Sequence, residues 1–94
     1  DPAGAEIQAL KRMTNWRGKR VLEVGCGGGR LTLRLAGLGA GQIIAFDPDE
    51  ESIRAARKEL PEKYKGRIIY QVGNAEHVKQ KANQFDIVVF SWVL

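Results

Sequence analysis

Glu23, Gly25, Gly27, Gly28 and Gly29 fall close together in the run VLEVGCGGGR, from Val21 to Arg30. Glycine turns with positive φ and lets another molecule approach the main chain, so this loop describes a contact surface for a ligand. The Glu23 carboxylate, two residues before the first glycine, suits a cationic partner. Eighteen residues beyond Gly29, Asp47 closes a second apolar run. A carboxylate at close to that spacing is placed to accept from the two hydroxyls of a ribose. Pro48 biases Asp47 toward extended backbone and so keeps it at a strand tip, while Asp49 is available to cap the helix that follows.

Other reactive residues carry less. Cys26 sits inside the glycine loop with no histidine or second cysteine near it in sequence, and reads as a small residue beside tightly packed backbone rather than a nucleophile. His77 has no carboxylate or nucleophile placed to partner it and reads as an exposed residue at a helix start. No catalytic residue is named and no metal site is expected.

These residues need a frame. Ile7, Leu10 and Met13 to Thr14 recur at helical spacing and predict a short N-terminal helix, followed by a loop over 15–18. Val21 to Val24 predicts a strand. Leu31, Leu35 and Leu38 then mark one face of a helix that ends near Gly37, Gly39 and Gly41. Ile43 to Phe46 predicts a second strand. Asp49 then opens a helix with Glu50 and Glu51 in its first turn, Arg57 and Lys58 toward its end, and Ile53, Ala56 and Leu60 on its buried face before Pro61. A third strand is predicted over Arg67 to Val72, a short helix or turn over Asn74 to Lys81, and a fourth strand over Asp86 to Trp92. Apolar strands alternating with helices imply a parallel sheet covered on both faces, with right-handed crossovers. The ligand of such a sheet lies outside the carboxyl ends of the strands, where strand order reverses.

The 94 residues, 44% hydrophobic and 28% charged, make at most one domain, with no membrane-length apolar stretch and no secretory segment. One cysteine excludes an internal disulfide framework and fits a reducing cytoplasm. The chain starts at Asp1 and stops at Leu94 within FDIVVFSWVL, which suggests a fragment. Its net charge is +4, and Lys11, Arg12, Arg17, Lys19 and Arg20 occur between Glu6 and Glu23 with no acid among them. Without interleaved aromatics or a nucleic-acid motif, this run reads as a solvated helix end and loop, so a nucleic-acid partner is not favoured.

The glycine spacing fits two patterns. As G-x-G-x-x-G, the dinucleotide fingerprint, it matches at Gly25 and Gly27 but puts Arg30 where close helix packing demands a small residue. As E-x-G-x-G-x-G it matches at Glu23, Gly25, Gly27 and Gly29, and here it resembles motif I of the class I S-adenosylmethionine-dependent methyltransferases. The charge agrees, because a pyrophosphate seeks backbone N–H groups at a helix N-terminus, whereas S-adenosylmethionine carries a sulfonium and an ammonium. Further resemblance lies in Gly73-Asn74-Ala75, where the family commonly reads G-D-A, and in FDIVVFSWVL, which resembles motif IV. The motif IV segment lacks the Asn-Pro-Pro-aromatic or Asp-Pro-Pro-aromatic tetrad of enzymes that methylate exocyclic amines, and looks like that of small-molecule methyltransferases, including quinone-biosynthesis enzymes.

The resemblance, from about Arg20 to Leu94, implies an α/β, Rossmann-like doubly wound sheet. Four parallel strands in the order 3-2-1-4 are expected, with helices on both faces, as an incomplete cofactor-binding domain over 1–94 with a helical flank over 1–19. It implies S-adenosylmethionine as cofactor and S-adenosylhomocysteine as product. The contacts it implies come from Glu23, Gly25, Cys26, Gly27, Gly29, Asp47, Pro48, Asn74, Ala75 and Ser91. Asn74 stands where an acid holds the adenine amine and can accept from it through its neutral carbonyl, or it can simply cap a helix. A small-molecule acceptor is implied, methylated by in-line displacement. Two other readings stay open: a methyltransferase-like module that binds cofactor without turnover, and an NAD-dependent oxidoreductase resting on Gly25, Gly27 and Asp47. The apolar fourth strand is also expected to self-associate through its edge if no further strand covers it.

Overall fold

The structure is a computed structural model that describes residues 2–91, with side chains described for 8–74, 76–78 and 81–91. In chain order the elements are α1 (Pro2–Met13), β1 (Arg20–Val24), α2 (Arg30–Gly37), β2 (Gln42–Asp47), α3 (Glu50–Lys58), β3 (Ile68–Val72), α4 (Ala75–Lys81) and β4 (Ile87–Phe90). Short 3-10 turns at Glu62–Tyr64 and Ala82–Gln84 precede β3 and β4. All three strand pairings are parallel, in the order β3-β2-β1-β4, as the sequence predicts. Trp92, expected in the fourth strand, lies outside the described residues.

Period-two alternation divides the strands between two cores. Val21, Ile43, Ala45, Ile68 and Tyr70 pack with Leu31, Leu35, Ile53 and Ala56 from α2 and α3, while Leu22, Val24 and Phe46 pack with Val78 of α4 on the opposite face. Val21, Leu22, Leu35, Ile43, Phe46 and Ile53 are at most 1% exposed, and burial on this scale contributes about 1.5–3 kcal/mol for each large apolar side chain. Register places Leu22 beside both Ile44 and Val88, so β1 and β2 form the centre of the sheet.

The helix ends follow their local chemistry. Asp49 is extended and accepts from the Glu51 backbone N–H at 3.2 Å and from Ser52 Oγ at 2.8 Å, starting α3 with two acids in its first turn. Arg67 Nη2 donates to the Ala36 and Ala40 carbonyls where α2 ends. The N-terminal flank differs from expectation in one respect. Leu10 is buried but Met13 is 70% exposed, and the flank is anchored instead by Trp16, which is 3% exposed and donates from Nε1 to the Leu10 carbonyl at 2.8 Å. An indole brings both a large apolar surface and a donor that satisfies the helix end.

Candidate functional site

β2 and β3 extend to one side of β1 and β4 lies on the other, so strand order reverses between β1 and β4. The carboxyl ends of the strands there bring together the glycine loop after β1, Asp47 at the end of β2, Asn74 beyond β3 and Ser91 beyond β4.

Within the loop, Gly25, Gly27 and Gly29 have φ of 81°, 55° and 90°, and Gly28 has no positive φ. The alternation E-x-G-x-G-x-G is therefore a conformational pattern as well as a lexical one. Gly25 N–H and Cys26 N–H both donate to the Phe46 carbonyl, at 2.7 and 3.0 Å, which docks the loop on the end of β2. Gly29 precedes α2, and a Cβ there would collide with the Tyr70 hydroxyl. Its left-handed backbone and its contact both require glycine.

Asp47 is half-buried and uses both oxygens: Oδ2 accepts from Gly27 N–H at 2.9 Å and Oδ1 from Asp49 N–H at 2.9 Å. It ties the loop to the start of α3. A carboxylate has about four lone-pair sites, so two remain for hydroxyl donors. Pro48 is exposed beside it.

The Glu23 side chain is 0% exposed, on the face of β1 covered by α2. Oε1 accepts from Thr32 Oγ at 2.5 Å and Oε2 from Ser91 Oγ at 2.7 Å. Burial drives its carboxyl pKa above the ordinary glutamate range, against the two hydroxyl bonds, which lower it. Tyr70 hydrogen-bonds the same Thr32, and burial pushes its phenol up to about 12. A buried polar chain thus runs from β3 through α2 and β1 to the end of β4. Thr32 and Tyr70 escaped the sequence reading. The signal available was an acid inside the strand VLEV, which needs buried donors wherever it packs.

Cys26 is 7% exposed, and burial with the charges of Glu23 and Asp47 pushes its thiol up to about 12. A buried thiol held protonated is a poor nucleophile. Asn74 is exposed and caps α4, its Oδ1 accepting from Glu76 N–H at 3.0 Å. His77 Nδ1 accepts in return from Asn74 N–H at 3.1 Å, and its ring stacks on Phe46 with centroids 5.6 Å apart. The histidine is a capping residue. Ala75 opens α4, and its side chain lies outside those described. Ser91 Oγ lies 3.0 Å from the Gly25 carbonyl and 3.3 Å from that of Val24, besides its bond to Glu23. Of the basic run, Lys11 and Arg17 lie with Tyr64 and Arg67 around the C-terminus of α2, and Arg20 pairs with Asp86 at the start of β4.

The positive-φ loop, the carboxylate at the next strand end and the strand-order reversal come together at one end of a Rossmann-like sheet. The family described as "Methyltransferase domain" matches residues 21–94, and the chain belongs to that family. It is 42% identical over 80 residues to the human mitochondrial ubiquinone biosynthesis O-methyltransferase, covering 82% of this chain and 21% of that protein. It is 31% identical over 89 residues to the tRNA U34 carboxymethyltransferase of Campylobacter hominis, covering 95% of this chain and 31% of that one. Among solved structures it resembles an S-adenosylmethionine dependent methyltransferase from Mesorhizobium loti, with a TM-score of 0.62 and 28% identity, over 74% of this chain and 32% of that chain. The chain thus spans about a fifth to a third of the curated relatives it matches.

Proposed function

We propose that this chain forms the methyl-donor-binding part of an S-adenosylmethionine-dependent methyltransferase that acts on a small-molecule acceptor by in-line transfer. The observation that carries the reading is the convergence of the positive-φ glycine loop and the half-buried Asp47 carboxylate at the point of strand-order reversal. The residues fit such a ligand: glycines without side chains leave the backbone open to approach, and Asp47 keeps lone pairs for ribose hydroxyls. Asn74, with Ala75 beside it, is proposed at the adenine end.

When bound, the cofactor supplies an electrophilic methyl group. The chain's own residues supply alignment, with Asp47 holding the loop through Gly27 and the β2 end holding it through Phe46, which is where positioning contributes to rate. A small-molecule acceptor is supported by the O-methyltransferase relative and by the motif IV segment, whereas the tRNA-modifying relative supports a nucleic-acid acceptor. The first is favoured because Lys11, Arg17 and Arg20 of the basic run lie away from the carboxyl ends of the strands. The cytoplasm is proposed as its location, although the human relative is mitochondrial by name. No helix among the described residues is long and apolar enough to cross a membrane.

A cofactor-binding module without turnover is the second reading. It is favoured by the state of the reactive side chains here: His77 is engaged as a cap, the Cys26 thiol stays protonated and Glu23 is buried. Titration calorimetry with S-adenosylhomocysteine and with NAD tests the cofactor, and S-adenosylhomocysteine is expected to bind the more tightly. Stronger binding of NAD would overturn the proposal. An acceptor screen with labelled methyl donor separates enzyme from module.

A further inference from the structure

Charge is divided along the strand direction. Asp47 ends β2 and Asp49, Glu50 and Glu51 follow it at the carboxyl side of the sheet, whereas Arg17 precedes β1 and Arg67 precedes β3 at the amino side. On that amino side, two adjoining recesses of about 270 and 470 Å³ share Lys11, Arg17 and Leu38, the first reaching Thr14 and Asn15 and the second Tyr64 and Arg67. No acid among the described residues lines either one. Lys11 and Arg17 are exposed, and no acid among the described residues pairs with them. Arg67 Nη2 donates to the carbonyls where α2 ends and so offsets the negative end of that helix, which leaves the recesses positive. The aromatic that the basic run lacks along the chain arrives in space. Lys63 Nζ lies 5.1 Å and the Arg67 guanidinium 5.3 Å from the Tyr64 ring centroid, and the Tyr64 hydroxyl lies 3.7 Å from where a Cβ on Gly37 would stand.

We propose that this face, at the amino ends of the strands, binds a nucleic-acid strand through its phosphates. The side chains of the two recesses are the set that meets phosphate oxygens: Lys11, the guanidinium groups of Arg17 and Arg67, the hydroxyls of Thr14 and Tyr64 and the Asn15 amide. Arg17 offers a planar fork for two oxygens of one phosphate, while Lys11 acts as a point charge. Two recesses that adjoin and share both cations suit successive phosphates better than one small anion. Contacts of this kind carry no sequence information, so RNA and DNA strands bind alike. The acids at the carboxyl ends repel the same polyanion. The strand is therefore docked away from the glycine loop rather than methylated, and the inference stands independently of the cofactor reading.

The test is fluorescence anisotropy of a labelled single-stranded RNA, and of DNA of the same sequence, titrated with the chain over a salt series. Both are expected to bind with Kd on the order of 10⁻⁴ to 10⁻⁶ M at physiological salt, and log K to fall against log salt with a slope of about −2, the value for three cations on single-strand phosphates. Lys11→Gln combined with Arg17→Gln should weaken binding roughly tenfold or more at low salt and flatten the slope to about −0.7. Both side chains are exposed, so the thermal unfolding midpoint should stay where it is. Arg17→Gln alone should weaken binding severalfold, whereas Arg54→Gln, equal in charge but paired with Glu51 on α3, should not. No binding at low salt, full binding by the double variant, or an equal loss in Arg54→Gln overturns the inference. So does binding of pyrophosphate or of anionic-lipid vesicles without binding of either strand. S-adenosylhomocysteine affinity is expected to be the same in the double variant as in the wild type; a fall alongside that of the strand would place the strand at the methyl-donor site and overturn docking at the amino ends. A wild-type chain that binds the strands but not S-adenosylhomocysteine would remove the cofactor reading and leave this inference standing.

Discussion

Gly29 shows most directly how one residue type is imposed by its surroundings. Alanine there must hold φ near 90° and place its Cβ against the Tyr70 hydroxyl, and left-handed backbone together with overpacking costs about 2–4 kcal/mol. Gly29→Ala is expected to lose that much stability in urea unfolding, and Tyr70→Phe in the same chain to restore only the part due to the clash. Glu23 responds to pH in the opposite sense from a surface acid. Its folded-state pKa is raised by burial, so the stability tied to it is full below the ordinary glutamate range and is lost as pH rises through the raised value. Unfolding midpoints across pH should therefore shift in favour of Glu23→Gln as pH increases; parallel curves would count against a buried, titrating Glu23. Asp47→Ala removes the acceptor of Gly27 and Asp49 and is expected to weaken S-adenosylhomocysteine binding by about 1–3 kcal/mol, read by calorimetry. Unchanged affinity would take Asp47 out of the site. The glycines and Asp47 were legible in the sequence because the residue types themselves are the signal. Thr32 was not, since a threonine on a helix face otherwise marked by Leu31 and Leu35 gives no hint that its hydroxyl points at an acid nine residues back.

At the scale of elements, the starts of α3 and α4 and the ends of α2 and α4 fall where the sequence places them. α3 begins where Asp49 can cap it, and Asp49→Ala should cost about 1 kcal/mol, measured as a fall in denaturant midpoint with little change in slope. A loss below a few tenths would mean that the acids of the first turn suffice. α4 begins at Asn74 by the same chemistry, strengthened by the return bond to His77. That pairing was open in sequence, where Asn74 could be either an adenine contact or a cap; the structure shows the cap, and the carbonyl's second lone pair is what the proposed adenine contact would use. The flank was the weakest part of the reading. Periodicity put Met13 with Leu10, but the helix turns Met13 outward, and Trp16 closes its end from a segment predicted only as loop. Helical spacing says which residues share a face, and says nothing of a donor that returns from beyond the helix.

The whole molecule is a sheet with β3 and β4 at its edges among the described residues. Beside β4 runs an apolar groove formed by Leu10, Met13 and Trp16 with Ile87 to Phe90, in which Phe90 is 43% exposed. An apolar edge of this kind is a template for pairing. Sedimentation velocity on the 94-residue chain is expected to show mass rising with concentration, and Phe90→Lys to move it toward monomer; a clean monomer of the parent chain at every concentration would sink the expectation. By itself the sequence determined the element order and the parallel sheet, because turn chemistry, caps and apolar period are local and a β-α-β chain has one favoured handedness. Only the tertiary structure decided what Glu23 does. A charge inside an apolar strand can face a ligand or a core, and which of these it faces depends on residues brought to it from Thr32, Tyr70 and Ser91, whose distance along the chain carries no trace of their distance in space.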